Sequence, residues 1–275
     1  MTKQLLPLLF ILMTTITFAQ KKQKVKGSRV LTTKTTGVNA FQRLVLNEEF
    51  EVRLVKADST KVSIMTDDNL HEYIKIISQD STLTLKTTGR LQEKKLEIIV
   101  YYSDLLNTIE LKEDAEINST SSLDFKDLTL TTSGNAKAYL TIESNLFKLI
   151  NNDKAKAELN ITAKAATLEL NNSSKVEALI NASKIVVDLL ESADAKIEGD
   201  TENLILNADN SSEFNGENLT TKNATVTAEN RAEASIAASD NLVINASGTS
   251  ILEIYGSSKI TIEHFEGNAI LKKKD

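Results

Sequence analysis

The chain has 275 residues with no Cys and no Trp, which excludes disulfides, iron–sulfur clusters, thiolate zinc sites and cysteine nucleophiles. Its net charge of −6, from 32 Lys and Arg against 38 Asp and Glu, argues against a nucleic-acid binder held by phosphate contacts. The length admits one large or two ordinary domains.

Residues 1–19 read as a secretory signal peptide. Lys3 supplies the positive n-region, Leu5 to Met13 the apolar h-region, and Thr17-Phe18-Ala19 the small-x-small cleavage pattern, so the mature chain starts at Gln20. The apolar run falls short of the roughly 20 residues that span a bilayer, and no later segment is apolar enough to do so. The mature chain therefore has no transmembrane anchor. It is expected in the periplasm, at the cell surface or outside the cell. The sole proline, Pro7, lies in the signal, and its absence elsewhere suits a chain paired almost throughout as strand.

Residues 20–37 are basic, polar and without periodicity, and read as a flexible leader. Residues 38–106 form an N-terminal β portion that begins the solenoid and caps its end. Strands are expected over 40–46, 49–55, 61–66, 82–86 and 96–102, with a short helical stretch over 68–74.

From about residue 107 to 271 the chain repeats. Anchoring each copy on a polar turn residue gives Ser133, Asn152, Asn171, Ser192, Asp209, Glu229 and Ser247, at gaps of 19, 19, 21, 17, 20 and 18. Three positions before each anchor stand Leu130, Leu149, Leu168, Leu189, Leu206, Val226 and Ile244, and five before stand further apolar residues. Three positions after come small ones: Ala136, Ala155, Ser174, Ala195, Ser212, Ala232 and Ser250. This alternation marks strands with one buried face, and a period near twenty leaves no room for a helix in each copy. Such a chain stacks in parallel coils about 4.8 Å apart. The predicted fold is all-β, a right-handed parallel β-helix with a narrow core of small residues. Lys272, Lys273 and Lys274 guard the last edge with charge.

The segments Val38-Asn39-Ala40-Phe41, Phe50-Glu51-Val52, Val62-Ser63-Ile64 and Leu83-Thr84-Leu85 resemble the opening of the auto-transporter adhesin head GIN domain family. Leu242 to Gly248, followed by Ile254-Tyr255-Gly256, resembles its closing signature. The likeness spans about residues 38–271. It implies an exported β-helix with an adhesin-like role, but carries over no binding residue, because most turns depart from the Ser-Gly pair kept at Ser133-Gly134 and Ser247-Gly248.

The residues offer little chemistry. His71 and His264 lie far apart in sequence without a triad motif or further ligands, and read as solvated surface histidines. Glu48, Glu49 and Glu51, and Asp67, Asp68 and Glu72, are among the denser carboxylate clusters. Paired acids can cleave glycosides, so a carbohydrate-active β-helix is the alternative function. Against it stand a polar turn at 47–49, a solvated loop at 67–69 that caps the helical stretch, and too few aromatics for a sugar platform. Four lysines, Lys137, Lys156, Lys175 and Lys196, are expected to stack in one outward column beside Tyr139, Glu158, Glu177 and Glu198. Before the column changes sign at Glu213 and Glu233, this reads as a surface ion-pair ladder rather than an anion site. No catalytic, metal or cofactor residue is assigned and no cofactor is expected. The expected function is an exported, non-enzymatic solenoid whose partner is a glycan or cell-surface protein.

Overall fold

The computed structural model describes residues 22–274. The signal peptide and its cleavage site lie outside them. The fold is nearly all β, arranged as a β-solenoid of about nine turns. Among the described residues no helix is long and apolar enough to cross a membrane.

A central coil shows how the sequence builds the stack. Lys156–Leu170 alternates with Ala157, Leu159 and Ile161 inward, then Ala166, Leu168 and Leu170 inward. The inward set changes from odd to even numbers across residues 162–165. One extra residue therefore re-aims the strand, and each coil has two arms joined by a bend, each with its own period of two. Lys164 is skipped where the strand pairs with its neighbours in parallel. Leu130, Leu149, Leu168, Val187, Leu206, Val226 and Ile244 form one inward column and are fully buried.

The coils close through a tight turn whose second residue has positive φ in every copy: Glu48, Glu113, Gly134, Asp153, Asn172, Glu191, Asn210, Asn230, Gly248 and Gly267, at 58° to 82°. From Glu113 to Gly248 its carbonyl accepts the N–H of the residue directly after its counterpart in the turn of the next coil, at 2.6–2.9 Å. This left-handed position explains the Ser-Gly pairs and the Asn and Asp that replace Gly, since both residue types tolerate it.

That column also corrects the register expected for the fourth copy. Its turn is Leu190-Glu191-Ser192-Ala193, so the coil is anchored on Leu190 and not on Ser192. Val187 aligns with Leu206, and Leu189 with Ala208. The anchors are then 19 residues apart through Asp209, without the gaps of 21 and 17. An apolar anchor hides the frame: Leu190 is an exposed leucine in a column of polar residues.

The N-terminal portion starts the stack out of chain order. Arg43–Leu46 and Glu51–Lys56 make a coil sandwiched between two others, with Thr108–Leu111 and Glu116–Asn118 on one side and Thr82–Thr87 and Glu97–Tyr102 on the other. The outermost of these is covered by antiparallel partners: Ile74–Gln79 on one arm and Lys61–Asp67 on the other. Leu31–Gly37 extends the second pairing antiparallel, and Lys24–Lys26 pairs with Arg90–Gln92. The expected flexible leader is therefore two strands. Their threonines and lysines are exposed on both sides, so no buried face leaves a period to read. The helical stretch is a 3-10 helix, Asp68–Tyr73.

Candidate functional site

The first arms of successive coils form one lateral sheet. Its outward positions stack in columns, because a parallel in-register pairing sets each side chain over its counterpart. One column runs Glu116, Lys137, Lys156, Lys175, Asp194, Glu213 and Glu233. The next runs Tyr139, Glu158, Glu177, Lys196, Asn215, Ser235 and Glu253. Lys196 thus does not join the other three lysines; it stands beside Glu177 in the second column. The two-residue register of the fourth coil is the reason.

The lysines are paired where the columns change sign. Lys137 Nζ lies 3.6 Å from Glu116 and Lys175 Nζ 2.9 Å from Asp194. The hydrogen bond to Asp194, with Asp194, Glu213 and Glu177 charges around it, holds the Lys175 ammonium above its ordinary range. Lys196 Nζ lies 3.0 Å from Glu198 on its own strand, and that bond likewise raises it and lowers Glu198. These pairs are exposed, so such contacts add little to stability.

Between the second column and the next outward one lies a shallow groove of about 430 Å³ crossing four coils. Tyr139, Glu158, Glu177 and Lys196 form one wall, and Thr141, Asn160, Leu179 and Glu198 the other. It offers hydroxyl, amide, carboxylate and ammonium groups over a partly apolar floor, which suits hydrogen bonding to a polar polymer lying along the stack. Asn160, Thr141 and the exposed Leu179 carry no signal of their own in the sequence. In-register pairing brings them to one face, and the corrected fourth coil adds Glu198 to their row. A second groove of about 650 Å³ runs between the exposed leucines Leu105 and Leu146, beside the second arms.

The carboxylate clusters are held by structural bonds. Glu48 sits in the first tight turn, accepting bonds from Lys22 and from Thr87 Oγ1 at 2.7 Å. Burial pushes its carboxyl up, but those bonds outweigh it and hold the group below the usual range. Glu49 is exposed, and Glu51 accepts a bond from Asn118 at 3.0 Å. Asp67 is fully buried, not in a solvated loop. Its oxygens accept the backbone N–H groups of Arg29 and, at 2.7 Å, of Lys94, and it makes no cap bond to the helix that follows. A Cβ on Gly27 would lie 2.5 Å from the Asp67 carboxyl carbon, so only glycine lets that segment pass. Asp68 binds Ser28 at 2.5 Å, and Glu72 uses its backbone carbonyl to accept Lys75.

His71 lies at the surface, partly covered by Thr32, with Nε2 3.0 Å from the Thr32 hydroxyl. His264 is exposed, 3.3 Å from Glu266. Among the described residues no three His, Asp or Glu side chains are grouped to hold a metal ion.

The family model described as "Putative auto-transporter adhesin, head GIN domain" matches residues 40–179 and 154–258. Three solved structures share the fold. A "putative adhesin" from Parabacteroides distasonis is 19% identical with a TM-score of 0.67, covering 91% of this chain and 100% of its own. A "putative lipid binding protein" from the same organism is 15% identical with a TM-score of 0.64, over 92% and 100%. A "putative adhesin" from Parabacteroides merdae is 18% identical with a TM-score of 0.57, over 92% and 100%. No curated protein matches the chain.

Proposed function

The chain belongs to the auto-transporter adhesin head GIN domain family, and from that premise we propose that it is an exported, non-enzymatic solenoid that binds a glycan or cell-surface protein along its lateral sheet. The observation that carries the reading is the groove across four coils, where Tyr139, Asn160, Glu177 and Lys196 present fixed polar groups at coil spacing. A rigid row of such groups matches a repeating ligand without having to be ordered on binding. The family and the adhesin-described fold neighbours support this over catalysis, as does the engagement of Glu48 and Asp67 in bonds that hold the chain's own turns.

Export rests on the n-, h- and c-region pattern of residues 1–19, and an intact mass starting at Gln20 is the result expected. The function is tested by screening the purified chain against a glycan panel and envelope fractions. Binding without release of reducing ends is expected, weakened at least tenfold by Tyr139→Ser with Lys196→Glu. Release of reducing ends, or binding indifferent to those substitutions, overturns it.

A further inference from the structure

The two ends of the stack are built differently. At the N-terminal end, antiparallel strands cover the outermost coil. At the other, the strand Lys259–Phe265 pairs on one side only, with Glu233–Ala246, and nothing among the described residues lies on its other edge. Its inward column is correspondingly bare. Leu242 and Ile244 are fully buried, whereas Ile260 and Ile262, stacked directly on them, are 37% and 50% exposed, with Phe265 at 42%. An edge of this kind is a template for another strand. The usual protection is thin here. The strand has no proline, its lysine stands at the first position, and the register shift follows Ile262, leaving Lys259–Ile262 regular. The lysines that follow are turned to the chain's own groups rather than to this edge: Lys272 and Lys274 share Glu253 at 3.3 and 3.2 Å, and Lys273 donates to the Gly256 carbonyl.

We infer that this end is an interface between two copies of the chain, in which the regular stretch Lys259–Ile262 pairs antiparallel with itself about a two-fold axis at Thr261, with Glu263, at the register shift, forming the margin of the pairing. The sequence is self-complementary in that register and does not require a different partner. Antiparallel pairing centred on Thr261 sets Lys259 opposite Glu263 of the second copy, Ile260 opposite Ile262, and Thr261 opposite Thr261, and the two-fold makes the first two contacts twice and the axial one once. Charges meet on the outward face and the bare isoleucines meet on the inward one. A head-to-tail contact along the same sheet would need the edge of Ile74–Gln79 at its other end, where Ile74 and Ile76 are already packed against the core and leave the bare isoleucines little apolar surface to meet. The inference is independent of the lateral groove and extends the proposed function to a paired, double-length binding face.

The chain's lack of cysteine makes the register directly testable. Thr261→Cys should give a disulfide-linked dimer on mild oxidation, because directly opposed residues bring their Cβ atoms within about 5.5 Å. Asn241→Cys, exposed one coil inward, should not. Sedimentation of the purified chain should show a concentration-dependent dimer. Lys259→Glu should weaken it at least tenfold, and Lys259→Glu with Glu263→Lys should restore it. Ile262→Lys should abolish it while matching the unaltered chain's melting temperature at dilutions where both are monomeric, since the side chain is half exposed in the single copy. A monomer throughout the concentration range, open-ended filaments, a dimer indifferent to Ile262→Lys, or failure of the Thr261→Cys variant to cross-link would each overturn the inference.

Discussion

Single residues in this molecule are mostly occupied with joining one coil to another. Glu48 and Glu110 are the clearest carboxylates of this kind. At Glu110 burial raises the carboxyl, but bonds from Lys112 and Arg43 outweigh it and leave the group, like Glu48, below its ordinary 4.5. A lowered folded-state value means the charged form is the better bound one. Their contribution is therefore complete above the ordinary carboxylate range and is lost as pH falls through the folded-state values. The melting temperature should hold steady down to about pH 5 and then drop, with a shallower drop for Glu48→Gln and Glu110→Gln than for the unaltered chain. A drop of unchanged steepness in both variants would assign the acid sensitivity elsewhere. Neutral groups do similar work inside. Asn151 is fully buried, yet its amide donates to the carbonyls of Ala155 and Lys175 and its oxygen accepts from Thr132, so a polar side chain is accommodated in an apolar column.

The element that repeats is a two-armed coil with one strict requirement, the left-handed residue of its turn. Gly134 meets this without strain, and a Cβ there would also lie 2.8 Å from the Glu113 carbonyl oxygen. Gly134→Ala should therefore cost more than about 1 kcal/mol. Glu191 occupies the same conformation with an unsuited side chain, and Glu191→Asn, matching Asn172, Asn210 and Asn230, should stabilise by a few tenths to about 1 kcal/mol. Denaturant midpoints for the two variants should move in opposite directions. The coil itself is legible in the sequence, because Leu149, Leu168 and Leu206 recur against a polar turn and only a stacked strand makes that period useful. The fourth turn is not, since Leu190 breaks the polarity of the column while Glu191 gives no hint of positive φ. That slip of two residues moves Lys196 into the wrong column and misplaces the fourth rung of the groove, Lys196 and Glu198. Groove residues such as Asn160 have no signature of their own; they become neighbours only through pairing.

For the whole molecule, each coil touches chiefly the coils before and after it, so stability is close to a sum of coil and interface contributions. Removing coils from the C-terminal side should shorten the protein rather than unfold it. A chain ending at Leu170 should keep strand-rich circular dichroism and a cooperative melt, whereas removing residues up to Tyr102 should abolish both. The cap is only half visible in the sequence. Its strands at 61–67, 82–87 and 97–102 alternate clearly, but Leu31–Gly37 is exposed on both faces, and nothing in the local pattern announces that Arg43–Lys56 will be enclosed by segments from both sides.

That enclosure sets an order of events. A chain made from its N-terminus presents Arg43–Lys56 before either neighbour exists, and residues 82–102 must come back beneath it while Thr108 onward leaves from above. Once this block has formed, every later coil finds a finished ledge of free N–H and C=O groups already waiting, and needs only its own nineteen or so residues to be settled upon it. Assembly from that point resembles laying courses on a foundation: local, unidirectional and indifferent to how many courses remain. The slow step belongs to the first hundred residues, and the rest can follow at the pace of synthesis.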